Sequence, residues 1–167
     1  MSTVKIPTIP EISRKQKLQR VLISRTSNYN FTSGGPGTRR LPDSAFTVTI
    51  PEDGWYELKL IGQMINGSTG AWTGDIAFAI ANSTTPGSGL ITDEVSGLSV
   101  QNVSDARGGI YYTSQAVYLT AGTPLYVQII ARNSLGTPTF SGNGFGFLAT
   151  AARPMHLEAK KLADEEI

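Results

Sequence analysis

A chain of 167 residues with 40% apolar content can build one core of ordinary domain size, with residues left over for tails. Only 16% of the residues are charged and the formal net charge is +1, which excludes a bulk field that draws nucleic acid or an anionic membrane. The absence of cysteine excludes disulfides and thiolate metal sites, and no apolar run approaches the roughly 18 residues of a membrane-spanning helix.

Residues 1–17 contain no plausible core element, because Pro7 and Pro10 prevent a regular helix. Two readings stand. One is a floppy terminus; the other is an extended arm laid along a neighbouring protein. Val4, Ile6, Ile9 and Ile12 favour the arm, since disordered segments are poor in Ile and Val. Arg14, Lys15 and Lys17 add a basic character that suits an acidic protein surface. The charges are few and no aromatics interleave with them, so no nucleic-acid partner is expected. The segment MSTVKIPTIPEISRKQK has no apolar stretch of the secretory kind, so synthesis in a host cytoplasm is the expectation.

Leu18–Ser24 is the first strand candidate, and 27–43 reads as a long Gly/Pro-rich loop. The body begins at 44. Phe46, Val48 and Ile50 alternate with threonines, the turn Pro51-Glu52-Asp53-Gly54 follows, and Tyr56, Leu58 and Leu60 alternate with Glu57 and Lys59. Residues 66–74 read as a loop. Ile76, Phe78 and Ile80 then alternate with alanines, which predicts a second face that is also covered, with a neighbouring subunit as one candidate cover. Residues 82–90 form another loop and 98–103 a weak strand. Residues 110–120 make a strong strand that ends in the turn Ala121-Gly122-Thr123-Pro124. Leu125, Val127 and Ile129 face one way while Tyr126, Gln128 and Ile130 face the other. A last strand spans 140–149, and about eight strands in all predict an antiparallel all-β sandwich. From 153 to 167 the composition turns charged and helix-forming, with Leu157, Lys161 and Leu162 at helical spacing after Pro154. That tail is either a frayed end or a short helix that docks on a partner. The expected division is therefore 1–43 arm, first strand and loop, 44–152 sandwich, and 153–167 tail.

Three segments resemble the C1q/TNF-like jelly-roll family: Ile50-Pro51-Glu52-Asp53-Gly54-Trp55-Tyr56, Val117-Tyr118-Leu119-Thr120-Ala121-Gly122-Thr123, and Phe140-Ser141-Gly142 with Gly146-Phe147-Leu148. In the second segment Thr123 stands where the family often has Asp. The resemblance implies a jelly roll that packs as a homotrimer, with Tyr111, Tyr112, Tyr118 and Tyr126 as candidate trimer contacts. No Gly-x-y run is present, so the collagen stalk of animal members is missing. That departure points to the phage and bacterial relatives, in which the fold serves as capsid decoration, head fibre or receptor-binding tip.

Catalysis finds little support. The single histidine, His156, falls in the tail, where nothing holds it beside a nucleophile. A zinc site lacks ligands. The loop acids Asp93, Glu94 and Asp105 match no calcium-loop spacing, and no cofactor is expected. Exposed aromatics matter more for a binding protein. Trp55 alternates out of phase with Tyr56 and Leu58, and Trp72 falls in the 66–74 loop; both are candidate ligand contacts, with packing on the edge of the sandwich as the plainer alternative. The expectation is a non-enzymatic virion protein of a bacteriophage, a homotrimeric capsid decoration or head-fibre subunit anchored by its arm to other virion proteins. The alternative is a receptor- or carbohydrate-binding tip that recognises a host surface glycan.

Overall fold

The computed structural model describes residues 19–31, 39–41, 44–135 and 140–162. Ten strands occur among them: β1 (Arg20–Arg25), β2 (Tyr29–Phe31), β3 (Arg39–Arg40), β4 (Thr47–Thr49), β5 (Gly54–Ala81), β6 (Val95–Thr113), β7 (Val117–Leu119), β8 (Pro124–Leu135), β9 (Phe140–Leu148) and β10 (Met155–Lys161). All pairings are antiparallel, and the main path of the sheet runs β1-β10-β5-β8-β3. The protein is an all-β antiparallel sandwich.

The long strands β5 and β6 are the frame. They pair with each other along most of their length, with register shifts around Trp72 and at Ile76/Ala77. The first part of β5 pairs with β10, β7 and β9, and its second part pairs with β8. The bulges let one ribbon bend and serve both layers. Leu58, Leu60 and Met64 from the first part then meet Ile76, Phe78 and Ile80 from the second in a single core cluster. Tyr112 joins them, its ring edge-on to Phe78 at 5.3 Å.

Two turns that are distant in sequence lock together at one end. The Ile50 amide donates to the Thr123 carbonyl (2.9 Å), and the Gly122 amide donates back to the Ile50 carbonyl (2.8 Å). Asp53 Oδ1 accepts from the Ala121 amide at 2.8 Å. Gly122, at φ +82°, takes the left-handed position of the turn that Thr123 closes onto the Thr120 carbonyl. The turn residues of the first two resembling segments are thus in direct contact.

Several expectations need correction. The expected tail helix is instead strand β10, inserted between β1 and β5. Met155, Leu157 and Ala159 are each fully buried, so the period of two that buries three core residues overrides the helical spacing of Leu157, Lys161 and Leu162. The 66–74 loop is continuous strand within β5, with Trp72 paired to Val103 of β6. The weak strand at 98–103 and the start of the strong one at 110 belong to a single β6. The strong strand then breaks at Ser114, whose Oγ accepts from the Leu58 amide at 2.9 Å, and resumes as β7. Within the expected 27–43 loop, β2 pairs with β9 and β3 with β8.

The alanine face of β5 is covered by the chain itself rather than by a neighbouring subunit. Ala77, Ala79 and Ala81 are buried, and Gln128 of β8, opposite Ala79, is buried with them. Its Oε1 accepts from the Gly87 amide at 2.8 Å, and its Nε2 donates to the carbonyls of Ser83, Thr85 and Ser88 at 3.2–3.3 Å. One amide side chain thereby pins the 82–90 loop over the face. Beside it, Glu94 bridges Arg39 and Arg132, and Arg132 continues to Asp75 at 2.6 Å.

Candidate functional site

The opposite layer presents its outer face to solvent. Register places Ser24, His156, Ile61 and Tyr111 in one row across β1, β10, β5 and β6. Leu22, Glu158, Lys59 and Thr113 form the next row. Alternation turns these side chains away from the core, which takes Val21, Ile23, Leu157, Leu58, Leu60 and Ile110 instead. Tyr111 is 75% exposed and Leu22 44%. Farther along the same face, Trp55 (37% exposed) lies opposite Tyr118 (55%), their rings in an edge-to-face contact at 5.6 Å.

Charges on this face are mostly matched. Glu158, largely buried, holds Arg20 by two bonds, Arg20 Nε to Oε1 at 2.7 Å and Arg20 Nη2 to Oε2 at 2.8 Å. Lys59 meets Glu57 at 3.0 Å, and that hydrogen bond, more than any other influence, holds its ammonium above the usual lysine range. On the other side of the sheet, at the end of β10, Lys161 reaches Glu52 at 2.6 Å. Tyr56, the register partner of Lys161, donates its phenol proton to the Glu52 carbonyl at 2.9 Å. Burial pushes that phenol up, while the nearby Lys161 charge opposes the shift.

His156 stands on rigid β10 with its Nδ1 2.8 Å from Ser24 Oγ. A hydroxyl and an imidazole at that distance make two members of a nucleophilic triad. Among the described residues no carboxylate is hydrogen-bonded to His156. No group of three His, Cys, Asp or Glu side chains converges among the described residues. Glu94 is held by its two arginines, Asp93 is exposed, and Asp105 lies on β6 rather than in a loop.

The other expected site residues fall in different places. Tyr112 packs inward on Phe78, and Tyr126 is half-buried on β8 opposite Thr47 and Ala81. Tyr111 and Tyr118 share the outward face. Trp72 is on β5, and its side chain lies outside the described residues, as do Val4, Ile6, Ile9, Ile12, Arg14, Lys15 and Lys17. Three features were missed from sequence: the Ser24–His156 pair, the Trp55–Tyr118 contact and the Gln128 clamp. Only the clamp left a local signal, a lone amide within the apolar run Leu125–Ala131.

No protein-family model matches the chain, and none of the curated proteins does. Among solved structures it is similar to the Eiger TNF of S. frugiperda at 18% identity and a TM-score of 0.41, over 86% of this chain and 87% of that one. It is also similar to the infectious bursal disease virus Gt strain structure at 15% identity and a TM-score of 0.43, over 93% of this chain and 42% of the viral one. The VP2 subviral particle of that virus gives 13% identity and a TM-score of 0.42, over 96% and 47%. The chain thus spans less than half the length of these viral proteins. Likeness at this level assigns no residue and no partner.

Proposed function

We propose that this chain is a non-enzymatic structural protein of a virus particle that works as a homotrimer, joined through the outward face of β1, β10, β5 and β6. The observation that carries this reading is the exposure of Tyr111 and Leu22 on the outward face that also holds Ile61, which no loop covers among the described residues. Apolar area left in water there contributes roughly 25 cal/mol per Å² once a second copy covers it. The resemblance to C1q/TNF-like jelly rolls supports three copies rather than two. Low charge and a hydroxyl-rich composition suit a particle surface. Within that reading the protein is a bacteriophage capsid decoration or head-fibre subunit, and residues 1–17 anchor it to the virion. Three arms acting together turn weak single contacts into firm attachment.

Light scattering on the purified protein tests the first step. The expected mass is three times 17.8 kDa; a stable monomer overturns the reading. Deletion of residues 1–17 tests the second, with the trimer expected to persist while binding to particles is lost.

A further inference from the structure

We propose that Trp55 and Tyr118 form a binding platform for a neutral sugar, with Asp53 as the acceptor that orients it. The two rings meet edge to face and form a corner in which Trp55 stays 37% and Tyr118 55% exposed. That corner fits the flat, weakly apolar C–H face of a pyranose. Both rings are held on paired strands, Trp55 on β5 and Tyr118 on β7, so little ordering entropy is lost on binding.

The polar surroundings select the ligand. Asp53, two residues before Trp55, spends Oδ1 on the Ala121 amide, and among the described residues its other oxygen carries no hydrogen bond. An open carboxylate oxygen accepts from a hydroxyl and repels an anion. Of the cations nearby, Lys161 is held by Glu52, Lys59 is held by Glu57, and Lys160 lies opposite Glu57 in register. Sialylated and sulfated glycans are therefore disfavoured, and neutral hexose or N-acetylhexosamine chains are favoured. The two interlocked turns fix Asp53 relative to the rings, as a specific site requires. Tyr111 lies opposite Ile61, six residues beyond Trp55 along β5 and about 20 Å away at the usual strand rise, and the Leu22–Lys59 row is four residues or about 13 Å away, so the platform sits on the same face beside the proposed subunit contact.

The test is titration calorimetry of the full chain with maltotriose, cellotriose and triacetylchitotriose. Binding of at least one at millimolar concentration or tighter is expected. Trp55→Ala and Tyr118→Ala should each weaken it tenfold or more with the thermal midpoint little changed. Asp53→Asn keeps the acceptor for Ala121 but can present a donor where the carboxylate accepted, and should also weaken binding. Trp55→Phe should retain most of it. No heat from any of the three sugars overturns the proposal, as does binding that survives both alanine variants. Loss of solution mass in Trp55→Ala without sugar binding would make the pair a subunit contact and overturn it too. Since the sugar readout is calorimetric and the trimer readout is mass, failure of one leaves the other standing.

Discussion

At the residue scale, Gln128 has the largest consequence for its size. Three carbonyls converge on one Nε2, which has two hydrogens, so at least one bond is shared and the loop is held by geometry as much as by any single contact. Gln128→Leu keeps the bulk and removes every one of these bonds. The expected loss is about 1–3 kcal/mol, the usual cost of stranding buried polar partners. Because the 82–90 loop is largely exposed, water reaches its carbonyls once it lifts, which favours the lower end of that range. Urea denaturation should show the fall in stability, and hydrogen exchange at the Gly87 amide should rise sharply. An unchanged Gly87 exchange rate would mean that something other than Gln128 holds the loop. Gly97 imposes a different kind of constraint: a Cβ there would collide with Met64 Sδ and crowd Phe78, so the close approach of β6 to the core depends on a missing side chain.

At the element scale, β10 decides whether residues Met155–Lys161 belong to the fold or lie outside it. It hydrogen-bonds to β1 on one side and β5 on the other, and Met155, Leu157 and Ala159 fill the core beneath. Leu157→Ala should cost about 2–5 kcal/mol, as large-to-small changes at fully buried sites do. Truncation before Met155 should abolish cooperative thermal unfolding; a truncated chain that still melts cooperatively would return the segment to the status of a dispensable tail. Strands β4 and β8 and the start of β5 were legible because the period of two in Phe46–Ile50, Tyr56–Leu60 and Leu125–Ile129 has no helical rival. MHLEAKK was ambiguous, since Leu, Glu, Ala and Lys are strong helix formers and the order that buries Leu157 becomes decisive only once β1 and β5 flank it. The middle of β5 was illegible for the opposite reason: Asn66, Gly67, Ser68 and Gly70 carry turn chemistry, and their strand state rests on distant pairing with β6 and β9. The outward turn of Trp55 followed from local alternation, but its partnership with Tyr118 depends on cross-strand register, which no local pattern contains.

At the scale of the whole molecule, the two faces are treated differently. One layer covers its small-residue face with its own loop and an alternating ion network of Arg39, Glu94, Arg132 and Asp75. The other leaves Tyr111 and Leu22 in solvent above an otherwise well-matched set of charges. A subunit contact through this second face makes a sharp prediction for Tyr111→Glu. The ring is 75% exposed, so its removal should shift the thermal midpoint of an isolated subunit very little. In the trimer three carboxylates would be forced into a drying interface, where unpaired charges are costly to bury. Light scattering should therefore find a folded monomer, with the mass falling from three chains to one. Tyr111→Phe should keep the trimer, because the apolar ring is retained and only the phenol hydroxyl is lost. If Tyr111→Glu remains a trimer with unchanged stability, the copies meet elsewhere, and the exposed row Ser24, His156, Ile61 and Tyr111 faces a different partner.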